Sequence, residues 1–320
     1  MKKVLFATTA LVATAGVASA EVAISGGAEM GLQGGDLYGP ADDAAQFLTS
    51  VDVRFTMTGE TDGGLQFGAT VDADDIADMG LQGNDPVDNV NGQFADYTVF
   101  ISGDFGTFTI GDTDGAYDRV LTENFGNPGS IGDEETGHNG YNGGNNFDGF
   151  YDGQIARYDY SFDAFSVAVS VEISDFSDEY VFQLGGAYEF DFSGGSAEVG
   201  LAYAYDSFTE DTLIGMTAGV MLDSGFEGGI MLEQFNDEFF NGTFDGTYVG
   251  LSAGYSVDAI SVGVNYGVYD SDFFGESAGF GLAAAYDLGG GAAIHFGYGT
   301  NTEGAGDGDS GYSFGLAMSF

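Results

Sequence analysis

The sequence predicts an all-β protein, specifically a sixteen-stranded antiparallel transmembrane β-barrel, and three observations carry that prediction. Large apolar residues alternate with small or polar ones in one segment after another. Every second connection between those segments is tight, while the others are mostly long and acidic. Beyond residue 20 there is no apolar run long enough for a spanning helix, and Gly is too frequent for long stable helices.

Composition narrows the class further. The chain has 320 residues, with 56 Gly, 29 Phe, 18 Tyr, no Trp and no Cys, and five Lys and Arg against 51 Asp and Glu. Without cysteine there is no disulfide framework, thiol nucleophile or Cys-ligated metal. A formal charge of −46 sets the chain against phosphate backbones, which excludes nucleic acid as a partner. At 43% hydrophobic and 15% aromatic residues the chain is too apolar to be a disordered acidic tail.

The first element is an address. Met1-Lys2-Lys3 is a charged start, Val4 to Val17 an apolar stretch, and Ala18-Ser19-Ala20 a small-residue cleavage signature. Residues 1–20 therefore read as a cleaved signal peptide, too short for an anchor, and 21–320 as the barrel domain. Removing the leader leaves Arg54, Arg119 and Arg157 as the mature chain's only Lys or Arg residues, which makes their positions informative.

The strands follow as approximate spans 21–32, 47–60, 64–74, 93–103, 105–112, 153–162, 164–174, 179–191, 195–206, 210–223, 225–235, 244–257, 258–270, 275–287, 291–300 and 310–320. Alternation is plainest in Phe165, Val167, Val169, Val171 and Ile173, in Ala197 to Tyr205, in Ile260 to Val268, and in Tyr312 to Phe320. The tight connections are Thr61-Asp62-Gly63, Asp104, Asp163, Ser193-Gly194, Ser224, the Val257–Asp258 junction and Gly289-Gly290. The long ones include 33–46, 75–92, 113–152, 236–243 and 301–309. Short and long turns then occupy opposite ends, and an even strand count puts both termini at the short-turn end, as in outer-membrane barrels. A β-sandwich would need large partners for its apolar faces across a shared core. Here the second face is Gly, Ala, Ser and acid, which suits water, with lipid taking the apolar face. Tyr and Phe near strand ends stand in for the missing Trp of an aromatic belt.

With these elements in place the chain resembles the general porins of Gram-negative bacteria, in particular the alphaproteobacterial branch of the sixteen-stranded trimeric family. The resemblance is carried by Arg54-Phe55-Thr56-Met57-Thr58-Gly59-Glu60-Thr61-Asp62-Gly63-Gly64-Leu65, by Asp104-Phe105-Gly106-Thr107-Phe108-Thr109-Ile110-Gly111, by Ile155-Ala156-Arg157-Tyr158-Asp159-Tyr160-Ser161-Phe162, and by the last strand ending in Phe320. A terminal Phe after alternating apolar residues resembles the signal read by the barrel-insertion machinery. The resemblance implies a homotrimer of water-filled channels in the outer membrane, among lipid and lipopolysaccharide, passing small hydrophilic solutes and ions. It also implies a long third loop folded into the pore. That loop is 113–152, the longest connection, with a short helical turn around Ala116–Leu121. Many relatives carry a basic residue just after the motif's Gly, where this chain has Asp112, so a strong transverse field across the constriction is in doubt.

Alternation places Arg54 and Arg157 in the lumen, since either would cost about 2–4 kcal/mol at the lipid midplane. Arg119 lies in the long loop with Asp118, Glu123, Asp133, Glu134 and Glu135, and these eight residues form the expected constriction. The arginines are expected either to face loop carboxylates and set size and charge preference, or to anchor the loop by salt bridges. The acidic excess predicts cation preference. His295 faces the lumen by alternation and His138 lies in the loop, and no motif brackets either, so no enzyme is expected. No cofactor is expected. Asp112-Thr113-Asp114-Gly115 and Asp307-Gly308-Asp309-Ser310 space oxygen ligands as calcium sites do, which leaves calcium on the acidic loops open, although Asp-Gly pairs also simply make turns. Two alternatives stand beside the diffusion channel: a substrate-selective outer-membrane channel, and a secreted calcium-dependent β-rich adhesin, for which nonapeptide repeats are missing.

Overall fold

The computed structural model describes residues 21–38, 44–73, 96–142, 147–151, 153–237, 244–272 and 275–320. The expected signal peptide and the 75–92 connection lie outside them. Sixteen strands close into one antiparallel barrel in which each pairs with its sequence neighbours, and the last pairs with the first. They are β1 Glu21–Gly35, β2 Gln46–Glu60, β3 Gln66–Asp72, β4 Asp96–Gly103, β5 Gly106–Gly111, β6 Ile155–Phe162, β7 Phe165–Ile173, β8 Tyr180–Phe192, β9 Gly195–Asp206, β10 Thr212–Leu222, β11 Phe226–Asp237, β12 Phe244–Val257, β13 Ile260–Ser271, β14 Gly275–Gly289, β15 Ala292–Glu303 and β16 Ser310–Ser319.

The strand pattern is inside out relative to a water-soluble sheet. Across β12 and β13, Val249 pairs with Val268 and Leu251 with Tyr266 on the outside, while Ser252 pairs with Asn265 on the inside. Leu251 is 52% exposed whereas Asn265 is buried. Such an apolar exterior is stable only against lipid, and closure removes the edges that lipid cannot solvate. Phe320 completes the seam by donating its N–H to the Gly26 carbonyl at 2.9 Å, next to the paired run from Gly27–Ser319 to Gly35–Gly311. Outside, near the 163–164 and 193–194 turns, Phe162, Phe165 and Tyr188 pack ring on ring at 5.3 and 4.5 Å between centroids. They supply the apolar-to-polar border that Trp often makes.

Differences from the expected spans lie at strand ends. β13 starts at Ile260 because Asp258 occupies the left-handed region at φ 51°, which Asp tolerates and which turns the chain. Asp163 does the same at φ 50° between β6 and β7. On the long-loop side, β11 and β15 continue to Asp237 and Glu303 because pairing with the neighbouring strand outlasts the apolar alternation.

Between β5 and β6 the described residues turn into the barrel and carry the short helix α1 Ala116–Val120 and a 3-10 turn at Ile131–Asp133. The apolar core lies where this helix meets the wall. Ala116, Tyr117, Val120 and Leu121 pack on Ala168, Ala202, Ala204, Leu213, Met231 and Tyr248, all on inward positions of β7 and β9 to β12. The small inward face was expected to meet water. Over this sector it meets the loop.

Candidate functional site

The loop enters the lumen at α1, whose first amides have no helical acceptors. Ser170 Oγ on β7 accepts the Ala116 N–H at 2.8 Å, and Gln183 Oε1 on β8 accepts the Tyr117 N–H at 2.8 Å. Asp148, from the far end of the same loop, accepts the Gly115 N–H at 2.5 Å and a Gln183 amide hydrogen at 2.5 Å. Burial, followed by the charges of Asp118 and Asp114, pushes the Asp148 carboxyl up to about 7 against those two hydrogen bonds.

From α1 the loop travels along the inner wall, fastened strand by strand. Thr122 donates to Glu198 on β9 at 2.8 Å, the Phe125 N–H to Ser252 Oγ on β12 at 2.7 Å, and His295 Nδ1 on β15 to the Gly129 carbonyl at 2.9 Å. Returning, Asn265 Nδ2 on β13 donates to the Glu135 carbonyl at 3.2 Å, and Asn301 Oδ1 on β15 accepts the Asn139 N–H at 2.8 Å. Tyr248 Oη on β12 donates to the Gly140 carbonyl at 3.1 Å. Glu172 on β7 closes the circuit by accepting the N–H groups of Phe150, Tyr151 and Gly153 at 3.1, 3.0 and 2.9 Å.

Between these fasteners, inward glycines provide the room. A Cβ at Gly254, Gly281 or Gly299 would overlap the loop backbone at Gly126, Glu135 and Glu134. Phe125 lies over Gly219 and Gly229, and the Ile131 side chain fills a notch between Gly31 and Gly315 where the barrel closes. Phe125 is 4% exposed and Ile131 wholly buried. The loop is therefore a belt seated in a groove and not a lid hinged over the mouth.

The arginines occupy two places. Arg157, buried on β6, donates from Nε to Asp159 at 3.0 Å and from Nη1 to Thr113 Oγ1 at 3.1 Å and to the Asp114 carbonyl. Arg119 reaches the same Asp159 carboxylate from α1 at 3.4 Å. Asp159 thus ties both to the root of the loop. Arg54 stands apart on β2 against Asp72 of β3, on the lumen side. Among the described ion pairs, the arginines meet the wall acids Asp72 and Asp159, and the Arg119–Asp159 pair joins α1 to β6.

The loop acids divide as well. Glu134 and Glu135 have buried side chains, and their carbonyls press on Gly299 and Gly281. Ser130 Oγ donates to the Glu135 carboxylate, which burial nevertheless raises above its usual range. Asp133 is exposed, with a left-handed backbone at φ 56° that Asp tolerates. Asp118 and Glu123 are half-buried near α1. Burial, with the charges of Asp118 and Glu233 added, pushes Glu123 up to about 8.

Both histidines serve the belt. His138 accepts the Gly140 N–H at Nδ1 at 3.1 Å, which leaves the proton on Nε2 to donate to Asn265 Oδ1 at 2.5 Å. Burial lowers its pKa. Of the two candidate calcium stretches, Asp112–Gly115 gives the Asp114 carbonyl to Arg157, and Asp307–Ser310 makes a turn in which the Asp309 N–H bonds the Gly306 carbonyl at 2.8 Å. Among the described residues no three His, Cys, Asp or Glu groups converge as metal ligands do. Sequence reasoning missed Asp159, Glu172, Gln183, Glu233 and Asn265 as site residues. Their signal was a long polar side chain at an inward position of an otherwise small-residue face.

Below the belt, toward the short-turn end, the lumen opens into a cavity of about 1790 Å³ roofed in part by Asn127 and Pro128. Its lining includes Glu29, Asp52, Asp72, Asp191, Asp223, Glu227, Asp258 and Asp287, against Arg54 and His295.

Comparison with known proteins matches residues 7–306 to the family model described as Gram-negative porin. A curated Rhodobacter capsulatus protein named porin is 30% identical over 301 residues, covering 86% of this chain and 92% of its own length. A refined porin structure superposes with a TM-score of 0.72 at 25% identity, over 94% of this chain and all of that one. An engineered Rh. blastica porin variant shares the fold at a TM-score of 0.65 and 19% identity, over 93% of this chain and all of that one.

Proposed function

Because the chain belongs to the Gram-negative porin family and closes into that family's outer-membrane channel barrel, we propose that it passes small hydrophilic solutes and ions by passive diffusion with a preference for cations. The observation that carries the preference is the short-turn cavity, where eight carboxylates face one arginine and one histidine. A low-dielectric wall focuses such a field onto the water it encloses, raising the local cation concentration. Asp112, in the position where many relatives are basic, removes a source of opposing charge.

Family resemblance supports a homotrimer and contact with lipopolysaccharide, and the charged start, apolar stretch and Ala18-Ser19-Ala20 support a cleaved leader. Calcium on the acidic outer loops would strengthen that contact, and chelator-dependent extraction from the membrane tests it. Amino-terminal sequencing of the mature protein should begin at Glu21. The channel reading is tested by reconstituting detergent-purified protein into a planar bilayer under a potassium chloride gradient. Openings in groups of three and a reversal potential favouring potassium are expected. A reversal potential favouring chloride would overturn the cation preference, and folded protein without conductance would overturn the open channel. Block by one solute at low concentration would favour the substrate-selective alternative.

A further inference from the structure

The geometry points to Glu233 as a positioning residue that joins the two limbs of the belt and so sets the shape of the constriction. This rests on the channel reading above. Glu233 is on an inward position of β11 and is 6% exposed. One carboxylate oxygen accepts the hydroxyl hydrogen of Tyr117, which is wholly buried in α1 on the outgoing limb. The other accepts from Asn142 Nδ2 at 2.6 Å, on the returning limb. Asn142 is 3% exposed, and its amide also contacts Met231 Sδ at 3.4 Å, on the same strand.

A carboxylate in a wall of Ala, Gly and Met is costly unless both its oxygens are occupied. Here both are, by donors that approach from different limbs of the loop. The chemistry explains the residue type. A tyrosine hydroxyl and an asparagine amide both arrive as donors, and a carboxylate offers an acceptor on each arm. Glutamine offers one acceptor and one donor, and alanine neither. Ser170 and Ser252 hold only the outgoing limb, and Asn301 and Tyr248 only the returning one; at the root of the loop Gln183 bonds both, through the Tyr117 N–H and Asp148. Glu233 holds both through the side chains of Tyr117 and Asn142, so its loss frees Asn142 from α1 while Gln183 and Asp148 still close the root and the barrel stays paired.

The test compares wild type, E233A, E233Q and Y117F/E233A in planar bilayers and in liposome swelling with sugars of increasing size. Removing a buried charge-assisted clasp shifts the ratio of seated to displaced loop by roughly ten- to a hundredfold. E233A should therefore show raised open-channel current noise and faster entry of the larger sugars. E233Q should recover part of the wild-type quietness, and Y117F/E233A should match E233A, because the hydroxyl has already lost its acceptor. If E233A does not insert, E233M removes both acceptors at similar volume and carries the comparison. Quiet, wild-type-sized E233A and E233M channels, or additive effects in the double variant, would overturn the assignment. A wild-type protein that does not conduct would overturn the porin reading instead. The clasp would then be read from proteolysis near Asn142, expected to be faster in E233A and overturned by equal rates.

Discussion

The Phe125 ring is where the belt is most exposed to a single substitution. In F125A a side chain that is 4% exposed disappears from above Gly219 and Gly229, two positions with no side chain of their own to refill the space. Phe-to-Ala in a packed interior costs about 3–5 kcal/mol, and a site that cannot collapse lies at the upper end. The hydrogen bond from the Phe125 N–H to Ser252 stays possible, so the loss is one of packing alone. A cost of about 3–5 kcal/mol raises the displaced fraction of that limb by roughly a hundred- to several-thousandfold. The strands are untouched, so the folded barrel should keep its fast electrophoretic mobility before heating and its β circular dichroism. Single-channel recording should show flicker and a changed conductance, with protease cutting between Leu121 and Ser130. Wild-type conductance, noise and protease resistance in F125A would refute the view that packing into the glycine groove holds the loop.

Other expectations follow from the same geometry. Glu123 and Asp148 are raised when the belt is seated, to about 8 and about 7, from ordinary carboxyl values of 4.5 and 3.8. The seated state therefore binds more protons, and its stability falls as pH rises through that window. His138, lowered by burial from 6.5, acts oppositely only below that pH, so channel noise should grow between pH 6.5 and 8 and flatten in E123Q/D148N. A pH-independent wild type would sink this. E172A leaves three loop amides without their carboxylate, worth about 2–4 kcal/mol at typical net values, and should open the 147–154 segment to proteolysis. Unchanged cutting would count against it. R54A removes the arginine that lines the short-turn cavity, and a cation passing within about 4 Å in water would feel about 1 kcal/mol less repulsion. The potassium-to-chloride permeability ratio should rise by up to roughly fivefold. A fall would contradict the field drawn here.

The barrel was legible in the sequence because the lipid face writes a period-two signal that needs no knowledge of partners. Tight turns were legible too, since Asp163, Gly194 and Asp258 adopt the left-handed backbone their residue types permit. The seat of the loop was not. A small residue at an inward position looks the same whether water or a chain segment lies over it, so Gly229 and Gly281 gave no hint of Phe125 and Glu135. Alternation likewise put Arg157 in the lumen but could not choose between a loop acid and Asp159, two residues away on the same face of its own strand. Nor does the sequence show that the Glu134 and Glu135 side chains are buried, since acids are seldom so.

The belt also fixes an order of events during biogenesis. Residues 112–154 are made before the strands that receive most of them: the Gly129 carbonyl waits for His295, and the Asn139 amide for Asn301. Such distant partners meet only after the intervening chain has been laid down and paired, and contacts of that separation form slowly. Ile131 has no notch at all until β1 and β16 zip together. The nascent cylinder must therefore pass through a stage with its acidic loop still loose in water. The seating of Ile131 can come only after closure, and it reports that the final strand has found the first.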